Sequence, residues 1–303
     1  TVYYLNNKFP ILKERNVRKL DDKTRQDIWK NVKALIIHKI GDVSVNQTDN
    51  IIVSAFVSTT AVGLLSNYTT LNTLVSTFTN KLLGSFTASF GNLLVKENLE
   101  KQRKIFDVYD LLGFWVYGFV LIAFVTLSQP FITLWLGEDL LLDDTTVILY
   151  FASLYFAGMT FMPYNFKVAA GKFNEDKWVA FAQAIINLVV SVAAIKLIGL
   201  PGIFVGTIVS RMLVVIVRPY IVFKYVLYMN PSTYYIRLIW RSLVAFLLCA
   251  LMWQIKEILL AKVNVFRFAI MCLLTLFIPN VFFFMMFRKS EELKDIFNRI
   301  KRG

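Results

Sequence analysis

This chain of 303 residues predicts an all-α fold, a polytopic membrane helix bundle of about eight transmembrane helices. Three observations lead there. Hydrophobic residues make up 57% of the chain and charged residues only 17%, outside the range of an ordinary soluble domain. Apolar stretches long enough to cross a hydrocarbon core of roughly 30 Å follow one another after residue 30, joined by short connections. Lys and Arg alternate between the two ends of these stretches, as the positive-inside rule requires.

The elements follow in order. Residues 1–30 read as a basic, aromatic arm at the interface. Predicted spans cover 31–58, 61–94, 107–134, 145–170, 177–199, 202–226, 237–258 and 265–287. The first carries His38, Lys39, Asp42, Asn46, Asp49 and Asn50. The second carries Asn67, a ladder of threonines, Asn80 and Lys81. Pro163 lies in the fourth span and Pro279 in the eighth, each removing a backbone hydrogen bond and favouring a kink. Gly202 and Gly206 open the sixth as a pair that permits close helix approach. Cys249 and Cys272 sit inside apolar stretches, so no disulfide framework is indicated. In the tail, 288–303, Leu293, Ile296, Phe297 and Ile300 recur at helical spacing among basic residues. That pattern suits an amphipathic helix on an anionic inner leaflet. The chain opens at Thr1 without a Met or a signal peptide and reads as a piece whose N-terminal half is missing.

Orientation follows from the basic residues. With the arm cytoplasmic, Lys96 to Lys104, Lys167 to Lys177, Arg218 to Arg241 and the tail all fall inside. Lys196, Lys256, Lys262 and Arg267 fall outside, with the acidic loop Glu138 to Asp144. Both termini are then cytoplasmic, in the cell membrane. The formal net charge of +13 therefore reflects topology rather than a nucleic-acid surface.

Polar side chains are expensive in hydrocarbon, so they face a bundle interior or a water-filled cavity. His38, Asp42 and Asp49 share one helical stripe, with Lys39, Asn46 and Asn50 beside it. Ser66, Thr70, Thr73, Thr77 and Asn80 form a second stripe, and Gln183, Asn187 and Ser191 a third. Counted along a continuous helix, Lys81 lies roughly 20 Å deep, beyond easy snorkelling, and Lys39 about 10 Å. Arg211 is also near mid-membrane. Lys39, Lys81 and Arg211, with Asn46, Asn50, Asn67, Asn80, Gln183 and Asn187, are the candidate lining of a cationic pathway for an anionic substrate. A structural pair of Lys39 with Asp42 or Asp49 is the alternative. Asp42, Asp49 or His38 would be the groups to bind a coupling Na⁺ or H⁺. The sequence shows no metal-ligand spacing, nucleophile–base pair or phosphate loop, so neither a cofactor nor an enzyme is expected.

The run Thr48-Asp49-Asn50-Ile51-Ile52-Val53-Ser54-Ala55-Phe56, followed by Val62-Gly63-Leu64-Leu65-Ser66-Asn67-Tyr68, resembles the seventh-to-eighth helix junction of bacterial polysaccharide flippases. These belong to the multidrug, oligosaccharidyl-lipid and polysaccharide exporter superfamily. Pro130 to Gly137 resembles the end of the family's ninth helix, Asn165 with Ala170 to Phe173 the end of the tenth, and Gly199 to Thr207 the start of the twelfth. The resemblance implies helices seven to fourteen of a 14-helix transporter: a six-helix bundle over 31–226 and two additional helices over 237–287. It implies transfer of an undecaprenyl-pyrophosphate-linked oligosaccharide of a capsule, O-antigen or exopolysaccharide from inner to outer leaflet. Its partners would be that substrate, anionic lipids and other envelope polysaccharide assembly proteins. Transport of drugs or of a peptidoglycan precursor within the same superfamily stays open. A glycan polymerase or ligase is disfavoured by the short outer loops.

Overall fold

The computed structural model describes residues 20–84 and 87–300. Among them the regular structure is helical throughout: α1 (Asp22–Phe56), α2 (Thr59–Gly84), α3 (Thr87–Lys96), α4 (Leu99–Leu136), α5 (Asp144–Met159), α6 (Phe161–Ala169), α7 (Lys177–Ile198), α8 (Pro201–Tyr225), α9 (Ser232–Leu259), α10 (Val265–Phe287) and α11 (Glu291–Ile300). A single 3₁₀ turn, Glu138–Leu140, lies in the loop after α4.

Among the described residues, six segments are long and apolar enough to cross a membrane: α4, α5 with α6, α7, α8, α9 and α10. That is the make-up of a multi-pass membrane protein, but the expected eight spans reduce to six. Both segments that fall short are long enough and too polar. α1 carries Lys33, Lys39, Asp42 and Asp49, and α2 its threonines, asparagines and Lys81. Within window 61–94 the described residues fall in α2, up to Gly84, and α3, from Thr87. Residues 1–19 of the predicted arm and 301–303 of the tail lie outside the described residues, and the helix begins at Asp22, well before residue 31.

Local chemistry sets the ends. Asp21 accepts from the Thr24 amide at 3.0 Å to start α1, and Asn98 accepts from that of Lys101 at 3.0 Å to start α4. Asp143 caps α5 and Asn264 caps α10 in the same way, both at 2.9 Å. α4 stops at Gly137, whose φ of 98° places it in the region that favours glycine, with its N–H on Ile132 O and Thr133 O. The fourth predicted span is split. Thr160 donates its amide and hydroxyl back to Ala157 O, and Pro163 in the first turn of α6 has no N–H to give.

α4 is the hub. At 38 residues it spans about 57 Å, more than a bilayer core, and it packs on α5, α9, α10 and α11. α7 and α8 form the closest helix pair, and α1 lies along α7. Gly202 and Gly206 make this possible, since a Cβ on either would run into Ala194 or Ser191 of α7. At the end where α3, α4, α6, α8 and α9 meet, Phe90, Phe106, Phe166, Phe223 and Tyr234 form an aromatic cluster with several edge-on pairs.

The tail helix is present, but its apolar face is not left for lipid alone. Leu293 is buried in the main core beside α4, while Asp295 pairs with Lys104 at 3.4 Å and Glu292 with Arg237 at 3.4 Å. Arg237 also binds Asp107, and Arg241 binds Asp110 at 2.7 Å. Asp295 and Glu292 of the tail thus find cations on α4 and α9, while Glu291 pairs with Lys294 within α11.

Candidate functional site

Inside this bundle lie two polar cavities that meet. The first, about 350 Å³, is lined by Asp49 and Asn50 of α1, Thr69 and Asn72 of α2, Tyr150 of α5 and Arg211 of α8, among others. The second, about 570 Å³, is lined by Lys39, Ser76, Tyr164, Arg211 and Arg218, with Tyr117 and Gly158 on its apolar wall. Asn72, Leu154 and Arg211 belong to both linings, so the two cavities adjoin.

Arg211 stands at the junction. Its guanidinium donates to the Ser153 carbonyl and, at 3.3 Å, to Ser153 Oγ, which anchors it to α5. On the facing helix, Asp49 Oδ2 lies 3.5 Å from Thr207 Oγ1, whose one proton has a nearer acceptor in Ile203 O at 3.1 Å. Behind it, buried Asn187 donates to Thr207 Oγ1 at 3.1 Å. Asp49 Oδ1 and Asn187 Oδ1 have no hydrogen-bond partner among the described residues. A carboxylate, an arginine and two amides therefore converge where α1, α7 and α8 meet.

The structure brings together Asp49, Asn50 and Arg211 directly, Asn187 through Thr207, and Lys39 through the second cavity. A pair between Lys39 and Asp49 is excluded by geometry, since ten residues on one helix lie about 15 Å apart. Lys81 lines neither cavity. It is exposed in the last turn of α2, where a cation suits the carboxyl end of a helix. Asn67 reaches instead toward Leu140 O at 3.5 Å, and Gln183 is half-buried on α7 outside both linings. The side chains of His38, Asp42, Asn46 and Asn80 lie outside the described residues.

Arg218 is the residue that sequence reasoning assigned elsewhere, to an inner loop. It is buried in the second cavity wall, its Nε–H on Asp176 at 3.3 Å, while Lys167 Nζ binds the same carboxylate at 2.6 and 2.7 Å. A signal existed: Thr207, Arg211 and Arg218 follow at four and seven residues, one face of a helix. Compared with family models, with curated proteins and with solved structures, the chain matches none. Fold and site together define a multi-pass helical membrane protein with adjoining cavities that bear cations.

Proposed function

We propose that this chain is part of a transporter that carries an undecaprenyl-pyrophosphate-linked oligosaccharide across the cell membrane by alternating access. In this reading its helices are the seventh to fourteenth of the polysaccharide-flippase architecture that the sequence resembles. The observation that carries the reading is the passage lined by Lys39, Arg211 and Arg218. A charge at mid-bilayer costs about 2.5–3.5 kcal/mol by insertion scales, so cations are kept there where they serve a pathway or a partner. A pyrophosphate requires cations, and a glycan requires hydroxyl and amide partners such as Thr69, Asn72 and Asn50.

The polar helices α1 and α2 cross the membrane in this scheme with their polar faces on the passage and on a second bundle, which accounts for their low apolarity. Ser66, Thr70, Thr73 and Thr77 are exposed along α2, and all four hydroxyls are bonded back to carbonyls one turn earlier. Asp49, beside Arg211, is the described carboxylate placed to couple transport to Na⁺ or H⁺. Both termini are cytoplasmic and the Glu138–Asp144 loop is external.

The test is genetic and chemical. Cells deprived of this chain should accumulate undecaprenyl-pyrophosphate-linked oligosaccharide that a glycosidase added outside cannot reach, and re-expression should restore its export. Unchanged lipid-linked pools and unchanged surface glycan would overturn the reading.

A further inference from the structure

Arg218 lies seven residues beyond Arg211 on α8, on the same face and about 10 Å along the axis. Both line the larger cavity. Arg218 is only 8% exposed, so its position is built rather than incidental. Asp176, fully buried, holds Arg218 Nε–H at 3.3 Å. Lys167 sits on both oxygens of the same carboxylate. The Tyr164 ring, itself part of the cavity wall, lies 5.0 Å from Arg218 Cζ and 5.4 Å from Lys167 Nζ. A guanidinium carries five N–H donors in a fixed fork suited to a phosphate. Oriented by Asp176 and Tyr164, Arg218 presents such a fork to the passage.

We propose that Arg218 is a second anion-binding residue of the passage, a station for a diphosphate two helical turns from Arg211, and that Asp176 is its resident counter-charge, which the diphosphate displaces. Lys167 makes the exchange feasible, because Asp176 keeps a cation while Arg218 turns to its ligand. The inference rests on the transporter reading and names the chemical group that the passage holds in two places. That group is a diphosphate, either on a lipid or free.

Titration of the whole 303-residue chain in detergent with inorganic pyrophosphate, followed by calorimetry, tests it. Arg218→Gln should weaken binding tenfold or more at unchanged melting temperature, since Lys167 still holds Asp176, and Arg218→Lys should recover part of the loss. Asp176→Asn should tighten binding severalfold, since no carboxylate then competes for Arg218. If Asp176→Asn fails to fold, the Arg218 pair of variants still decides. Farnesyl diphosphate binding at least tenfold more tightly than pyrophosphate would place the group on a lipid, and equal affinity would place it free; both outcomes require the Arg218→Gln loss. Binding lost in Arg211→Gln but kept in Arg218→Gln would overturn this inference alone. Loss in step with melting temperature would make Arg218 a structural partner of Asp176. No binding by the unaltered chain would overturn the anionic passage as well.

Discussion

Gly206 of α8 stands so close to Ser191 of α7 that a Cβ at Gly206 would lie 2.5 Å from the Ser191 amide nitrogen. The Ser191 backbone is in the way as well as its hydroxyl, and that hydroxyl is itself fixed by its bond to Ile203 O at 3.2 Å. The α7–α8 pair carries Asn187 and Thr207 to the passage, so this contact supports the site as well as the fold.

Gly206→Leu should therefore separate α7 from α8 and cost about 1–3 kcal/mol of stability, the range of an overpacked core. Gly113 of α4 is the control, because nothing lies within 4 Å of its added Cβ. Gly113→Ala should be neutral, or stabilise by about 0.5–1 kcal/mol through helix propensity. Melting temperatures of the two variants in detergent check both; equal values would show that the close approach is not needed.

The Arg241–Asp110 pair makes a different prediction. It joins α9 to α4 at 2.7 Å with side chains 6% and 12% exposed, and Arg241 also lies near the Phe114 and Phe287 rings. Removing one partner leaves a buried charge behind, at a cost of about 3–5 kcal/mol for a fully buried pair. Arg241→Met should thus reduce folded yield strongly. The double variant Arg241→Met with Asp110→Leu should regain much of it, since the charge left behind is gone. A double variant as unstable as the worse single would mean that packing of the two stems, not their charges, is what matters.

Much of this architecture was legible in the sequence, and the failures have physical causes. The spans over α4, α7, α8, α9 and α10 are apolar enough to stand out. The Gly202–Gly206 pair announced the tight α7–α8 contact through its spacing. What was not legible depends on tertiary context. Thr160 bonding back to Ala157 ends α5 inside the fourth window, although Asp144–Ala169 still makes one span by length and apolarity. Lys81, counted as deep within its window, is exposed in the last turn of α2. Arg218 was hidden for a related reason. The positive-inside pattern explains a basic residue near a span end without reference to a partner, and Asp176 lies 42 residues away in sequence. The tail's periodicity was readable, but not that Leu293 would enter the core.

Topology makes a prediction that can be checked on intact cells. With Cys249 and Cys272 replaced by alanine, a single cysteine at exposed Asp139 should react with a membrane-impermeant thiol reagent from outside. One at exposed Lys289 should react only after the membrane is opened. Labelling of Lys289→Cys in intact cells would reverse the proposed orientation and, with it, the direction of transport.

The last prediction separates the two cations that the sequence put on equal footing. Arg211 lines both cavities and is tied to Ser153, whereas Lys81 is exposed and lines neither. If the passage is where an anionic substrate travels, the two should differ sharply in function. Arg211→Ala should reduce glycan export by tenfold or more with membrane abundance close to that of the unaltered protein, because loss of a charge-assisted contact to phosphate falls on transport. Arg211→Lys should retain more export than Arg211→Gln, since charge is kept while the fork is lost. Lys81→Gln should export at nearly the normal rate if its role is confined to the end of α2. Export by Lys81→Gln as poor as that of Arg211→Ala would bring Lys81 back into the substrate path, through a surface that α2 presents to something other than the two cavities. Normal export by Arg211→Ala would remove the cation at the junction from the mechanism, and the passage would then have to work through Lys39, Arg218 and its hydroxyl and amide groups.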